Sequence, residues 1–180
     1  MNNCPTIDGI SIHCAYTELA DITTLVPNPR NPNQHPQKQI ELLAKIIKNQ
    51  GWRAPITVST RSGFIVRGHG RLLAAQLLGA EQVPVDRQDY ATEAEEWADL
   101  IADNRIAELS SADPTLLTEL LEELGDSDLD MELTGFDEAD LDQLKKRFSL
   151  PDDDFPEYDE SIAKDIKKVV CPHCGEEFPV

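Results

Sequence analysis

Apolar residues recur along the chain at two spacings, and the change between them marks the elements. Between Pro36 and Gly51, Ile40, Leu42, Leu43, Ile46 and Ile47 follow a helical rhythm, with a proline suited to a first turn and a glycine that stops the run. Ile56-Thr57-Val58-Ser59 and Phe64-Ile65-Val66 read as strands joined by a turn at Arg61-Ser62-Gly63. Leu72, Leu73, Ala75, Gln76 and Leu78 then predict a helix that Gly79 ends. Val83-Pro84-Val85 predicts a short strand, and its proline favours a sheet edge. Thr92 caps a helix that runs through Trp97, Leu100 and Ile101 to Leu109, and residues 113–125 and 137–148 predict two more around the Gly135-Phe136 turn. Trp52 and Trp97 are read as core residues rather than ligand platforms. Residues 16–26 read as a short extended entry, and residues 1–15 show no pattern. Three prolines make Asn28-Pro29-Arg30-Asn31-Pro32 irregular. Strands mixed with helices, without a regular βαβ series, give an α+β class with a helical tail.

Charge divides the chain more sharply than the hydrophobic pattern does. Over 180 residues, 16 Lys and Arg face 34 Asp and Glu, a formal net charge of −18. Residues 1–90 carry nine basic and seven acidic groups, whereas residues 91–160 carry four and twenty-four. The half that holds most of the strand pattern is thus at +2, and the helical tail is at −20. Such a tail repels phosphate, so sequence-specific DNA reading by residues 91–160 is not expected. Its runs of carboxylates behind leucines also suit a plain solvated helix face. Residues 151–168 read as a linker, rich in carboxylates and proline at their start. No stretch reaches the about 18–20 apolar residues that span a bilayer, and the first residues lack the pattern of a signal peptide. A cytoplasmic location, in a bacterium or a phage-infected host, is the expectation.

The candidate chemistry is concentrated at Arg67-Gly68-His69-Gly70-Arg71. There a strand ends, glycines let the backbone approach a ligand, and a helix begins with an arginine in its first turn. Free N–H groups at a helix start attract anions, and guanidinium groups add charge-assisted contacts to phosphate. Arg30 is a further candidate contact. His69 can touch a phosphate or act as a base, or it can be a turn residue that tolerates a positive φ. Without other context, a plain strand–turn–helix corner is an equal reading.

Three further segments give the turn a context. They are Asn28-Pro29-Arg30-Asn31-Pro32, Gly51-Trp52-Arg53-Ala54-Pro55-Ile56-Thr57-Val58, and Leu100-Ile101-Ala102-Asp103-Asn104-Arg105. In that order and spacing, residues 19–109 resemble the ParB N-terminal domain family, of the ParB/sulfiredoxin fold. The nearest pattern is that of phage and prophage modules associated with DNA methyltransferases. The resemblance implies a nucleotide, CTP or ATP, held with magnesium at the glycine turn, with Asp103 and Asn104 orienting the metal or a water. It also implies nucleotide hydrolase or kinase-like activity, with Asp103, Asn104 and His69 as catalytic candidates.

The chain departs from that pattern in places. Partition proteins read Gly-Glu-Arg-Arg where this chain has Gly68-His69-Gly70-Arg71, and the leading acid of the free-serine kinases is Arg67 here. Sulfiredoxin chemistry is not expected, because His69 stands where its cysteine would be and all four cysteines lie outside residues 19–109. No carboxylate cluster with His or Lys supports a nuclease. Nothing in the sequence stands for the basic DNA-reading domain that follows this module in partition proteins.

Near the end, Cys171-Pro172-His173-Cys174-Gly175 lies between Val169-Val170 and Glu176-Glu177-Phe178. Two thiolates on a tight turn predict a small zinc-ribbon-like hairpin over residues 169–180. A redox pair is the alternative, but such a pair normally opens a long helix. Cys4 and Cys14 would complete a four-thiolate zinc site, with His13 as a substitute ligand, or the second pair would come from another chain in a homodimer.

Three functions follow for test. One is a nucleotide-handling module of DNA modification, partition or phage biology. Another is a non-enzymatic adaptor whose acidic helices dock a DNA-modifying enzyme such as a methyltransferase. The last is direct DNA binding by the first half through Arg30, Arg53, Arg61, Arg67 and Arg71.

Overall fold

A computed structural model describes residues 4–148 and 168–179, so the expected linker lies outside the described residues apart from Lys168. The chain divides into two units, Met1–Lys146 and Arg147–Val180.

The first unit is built on a four-stranded sheet. Strands β1 (Thr6–Ile7) and β2 (Ile10–Ser11) form a separate small hairpin ahead of it. The sheet consists of β3 (Glu18–Asp21), β4 (Ile56–Ser59), β5 (Ile65–Arg67) and β6 (Gln82–Gln88), in the order β3-β6-β4-β5. β6 runs antiparallel to β3 and parallel to β4, and β4 runs antiparallel to β5. Helices α1 (Gln37–Gln50) and α2 (His69–Leu78) pack against each other, α2 lies against β4, and α3 (Glu93–Leu109) packs on β5. Ile56, Ile65, Val83 and Val85 are fully buried, with Leu72 and Ala75 of α2 above them. Burying each such Ile, Val or Leu stabilises the fold by about 1.5–3 kcal/mol.

Two expectations change here. Pro84 is not at an edge: β6 lies between β3 and β4. The parallel ladder with β4 begins at Ile56 opposite Val85, so the missing N–H falls just before it. Residues 4–15 are also structured. Trp52 N–H donates to Ser11 O at 2.8 Å, His13 N–H donates to Trp52 O at 2.8 Å, and Ile7 and Ile12 join the core.

The helical tail starts with α4 (Pro114–Gly125), which Asp113 caps by accepting from the N–H groups of Thr115 and Leu116. A 3-10 turn (Met131–Thr134) and α5 (Glu138–Phe148) follow. Leu121 and Leu141 are buried, and Lys145 pairs with Glu122 at 2.8 Å. Lys45 of α1 holds Asp130 at 2.7 Å and also Glu132, so the tail as far as that turn is tied to the first helix of the module.

The second unit contains the antiparallel pair β7 (Lys168–Val170) and β8 (Glu177–Pro179), joined through the cysteine turn.

Candidate phosphate site and cysteine turn

The glycine turn forms as its sequence requires. Gly68 has φ +92°, and a Cβ there would lie 2.9 Å from the Arg71 guanidinium. The positive φ therefore belongs to Gly68, and His69 is already the first residue of α2. At Gly70 an added Cβ would stand 3.3 Å from the His35 ring, so this glycine leaves room for that imidazole. The turn lines a cleft of about 180 Å³. Its other walls are Asn31, Asn33 and His35 from the proline-rich segment, Gln39 of α1, and Asp103 and Asn104 of α3.

The two arginines of the turn have different surroundings. Arg67 makes a two-point ion pair with Asp99, one contact being Nε to Oδ2 at 3.0 Å, and its Nε is 3.8 Å from Asp103. The Tyr90 hydroxyl donates to the same Asp99 carboxylate at 2.7 Å. Burial works against the Asp99 charge, but the bonds from Arg67 and Tyr90 together hold its carboxyl below the usual range. Burial, and then the Asp99 bond, push the Tyr90 hydroxyl upward. Arg67 is thus largely neutralised from within. Arg71 donates to the Pro55 carbonyl at 2.9 Å, and burial lowers its pKa, only partly offset by the nearby Asp103 carboxylate. A carbonyl does not neutralise a guanidinium, so Arg71 brings positive charge to the cleft that an anion can answer.

His69 closes the site from behind. Its Nε2 accepts the Asn28 N–H at 3.2 Å, which leaves the proton on Nδ1. Burial, with His35 nearby, pushes its pKa down to about 4. The ring is neutral near pH 7 and its free lone pair is occupied, which suits a positioning residue better than a base. Asn28 is itself buried and accepts the Arg30 N–H at 2.9 Å. Trp97 is half-buried rather than core, with the Arg30 guanidinium stacked 3.9 Å over its ring, while Trp52 is core as expected. Asn104 bonds back to the Leu100 carbonyl at 3.4 Å. Asp103 keeps an exposed carboxylate. One carboxylate alone is a poor magnesium site, but with phosphate oxygens and water it matches the way magnesium is usually held.

Asp99, His35 and Gln39 take part here without having been singled out in the sequence. Asp99 could have been found: it lies four residues before Asp103, so both acids share the helix face turned to β5. Nothing local marks His35 or Gln39.

The cysteines have three kinds of surroundings. Cys4 donates to the Ile12 carbonyl at 2.8 Å and lies 3.4 Å from His13 Nδ1. Cys14 packs against the core, where burial raises its pKa, and it is close enough to Arg71 to feel its charge. Cys171 and Cys174 are free thiols on the β7–β8 turn. The N–H groups of Cys174 and His173 point at the Cys171 sulfur and lower its pKa, helped by the Cys174 thiol. Among the described residues, no three His, Cys, Asp or Glu side chains converge on a metal position.

Comparison with known proteins gives these features relatives. Residues 11–105 match the ParB N-terminal domain, and residues 115–169 match the ParB-methyltransferase HTH domain. The ParB-like nuclease domain-containing protein YnaK of Escherichia coli (strain K12) is 38% identical over 61 residues, which are 34% of this chain and 69% of that protein. The C-terminally truncated chromosome-partitioning protein ParB from Caulobacter crescentus, in its complex with CTP-gamma-S, shares the fold. Its TM-score is 0.57 at 23% identity, over 75% of this chain and 79% of that one. The second match overturns one expectation: the residues after the module are similar to a helix-turn-helix type of domain. Its acidity had hidden it, since residues 115–169 hold eighteen acidic and six basic groups, a net of −12.

Proposed function

Since this chain belongs to the ParB N-terminal domain family, we propose that residues 11–105 are a nucleotide-binding module of a DNA-associated protein, working in DNA modification, partition or phage biology. The turn of residues 68–71 takes the phosphates of CTP or ATP. Arg71 supplies the charge, the backbone of Gly68 and Gly70 allows close approach, and Asp103 with Asn104 holds the accompanying magnesium. The cation lowers phosphate charge when bound; the chain itself positions the phosphates and shapes the cleft. Arg71 carries this reading, because its charge meets the cleft with only a carbonyl as a direct partner among the described residues. Support comes also from the related Caulobacter crescentus protein, whose structure was solved with CTP-gamma-S.

Calorimetry with CTP, ATP and GTP plus magnesium tests it. One of the three binds the wild type, and Arg71→Ala weakens that binding at least about tenfold, the loss expected for one charge-assisted contact to phosphate. Arg67→Ala mainly lowers stability, because it strands Asp99. No binding by a folded wild type would reject the proposal.

A second reading concerns the tail. The match to a ParB-methyltransferase domain, together with a net charge of −12, favours an adaptor that docks a basic surface of a DNA-modifying enzyme. On α4, Leu116 and Leu120 stand 58% and 57% exposed beside Glu119 and Glu123, an apolar ridge with an acidic flank.

A further inference from the structure

Both family matches end before Cys171, so the cysteine turn belongs to neither. The hairpin around it is short. Each strand has three residues, an isolated two-stranded hairpin is marginal in water, and Val169 and Val170 remain 46% and 55% exposed. The turn is nevertheless closely specified. Cys171 N–H donates to Glu176 O at 2.8 Å, Gly175 N–H donates to Cys171 O at 2.9 Å, and Gly175 takes φ +78°. Cys171 opens that loop and Cys174 lies three residues on, so both thiols belong to the one turn.

This arrangement suits a metal better than a redox couple. Two cysteines on one tight turn between paired strands offer a pair of soft ligands to one ion. A redox pair would normally begin a helix, whereas this turn joins two strands. A structural zinc site takes four ligands, and no third converges here among the described residues. The missing half has the same chemistry as the half present. Two hairpins related by a twofold axis present four thiolates to one ion, a closed arrangement that adds no unmatched surface. It would also give the exposed valines of each hairpin an apolar neighbour.

We propose that Cys171 and Cys174 form half of a four-thiolate zinc site, completed by the same two residues of a second copy of this chain. Zinc is then the link of a homodimer.

The full chain, purified with zinc, is expected to hold one zinc per two chains and to scatter light as a dimer. A chelator should return monomers while the circular dichroism of the helices persists. Cobalt in place of zinc should show the intense absorption of a tetrahedral four-thiolate centre. Cys171→Ser with Cys174→Ser should abolish both metal and dimer; Cys4→Ser with Cys14→Ser should change neither. The proposal fails if the chain takes up no zinc, or holds one zinc per chain as a monomer. It also fails if metal is lost in the Cys4 and Cys14 variant, or if the dimer is indifferent to the chelator.

Discussion

Burial and partners separate residues that look equivalent in the sequence. Arg67 and Arg71 flank one glycine turn, yet Arg67 answers Asp99 while Arg71 has a carbonyl. His69 shows the same principle through its titration. Unfolded, an imidazole takes a proton near pH 6.5, whereas the folded environment holds it off to about 4. A depressed folded value means that its contribution is complete above pH 6.5 and is lost as pH falls toward 4. His69→Gln keeps an acceptor for the Asn28 N–H but does not titrate. Urea melts at pH 7 and pH 5 should therefore show a smaller stability drop in His69→Gln than in the wild type. Equal drops would mean that His69 is not held neutral by the fold.

At the scale of elements, the junctions do more than the elements themselves. The end of α1 is the clearest case. Gly51 takes φ +77°, and a Cβ there would lie 2.4 Å from the Ser11 carbonyl and 2.9 Å from the His13 ring. The same carbonyl accepts the Trp52 N–H, so one glycine lets the helix stop, the chain reverse and the first hairpin dock. Gly51→Ala should cost about 2–4 kcal/mol, combining backbone strain with displacement of that hairpin, as measured by thermal and urea unfolding. Gly63→Ala makes a useful control. It shares the positive φ but meets nothing within 4 Å, so it should lose only about 1 kcal/mol. Junction signals such as Pro36 with Gly51, Thr92 and Gly79 act within a few residues, which is why helix ends were legible in the sequence. Strand order is not local. Pro84 was misplaced because its tolerance depends on where β4 begins, a fact set by a partner strand almost thirty residues away. The site was legible to the same degree: the glycine turn announces itself and Asp99 shares a helix face with Asp103, while His35 and Gln39 reach the cleft only through tertiary packing.

For the whole molecule, the division of charge decides which partner each part can meet. Five arginines of the first half could in principle touch DNA phosphates, and five contacts would give a log–log salt slope near about −4.5. Two of them already have acids: Arg61 faces Glu93 and Glu96, and Arg67 holds Asp99. The slope of the chain on duplex DNA should then be no steeper than about −2.7, with the tail adding repulsion rather than contacts. A basic protein surface is the opposite case, since it gains from the net −12 of residues 115–169 and from the ridge at Leu116 and Leu120. Binding to a methyltransferase should accordingly weaken with salt and disappear on deletion of residues 110–180, yet survive Arg71→Ala. A slope near −4.5 on DNA together with a salt-insensitive partner would reverse that assignment. The fold would then place the DNA contact on the near-neutral module and leave the acidic tail as a solvated face.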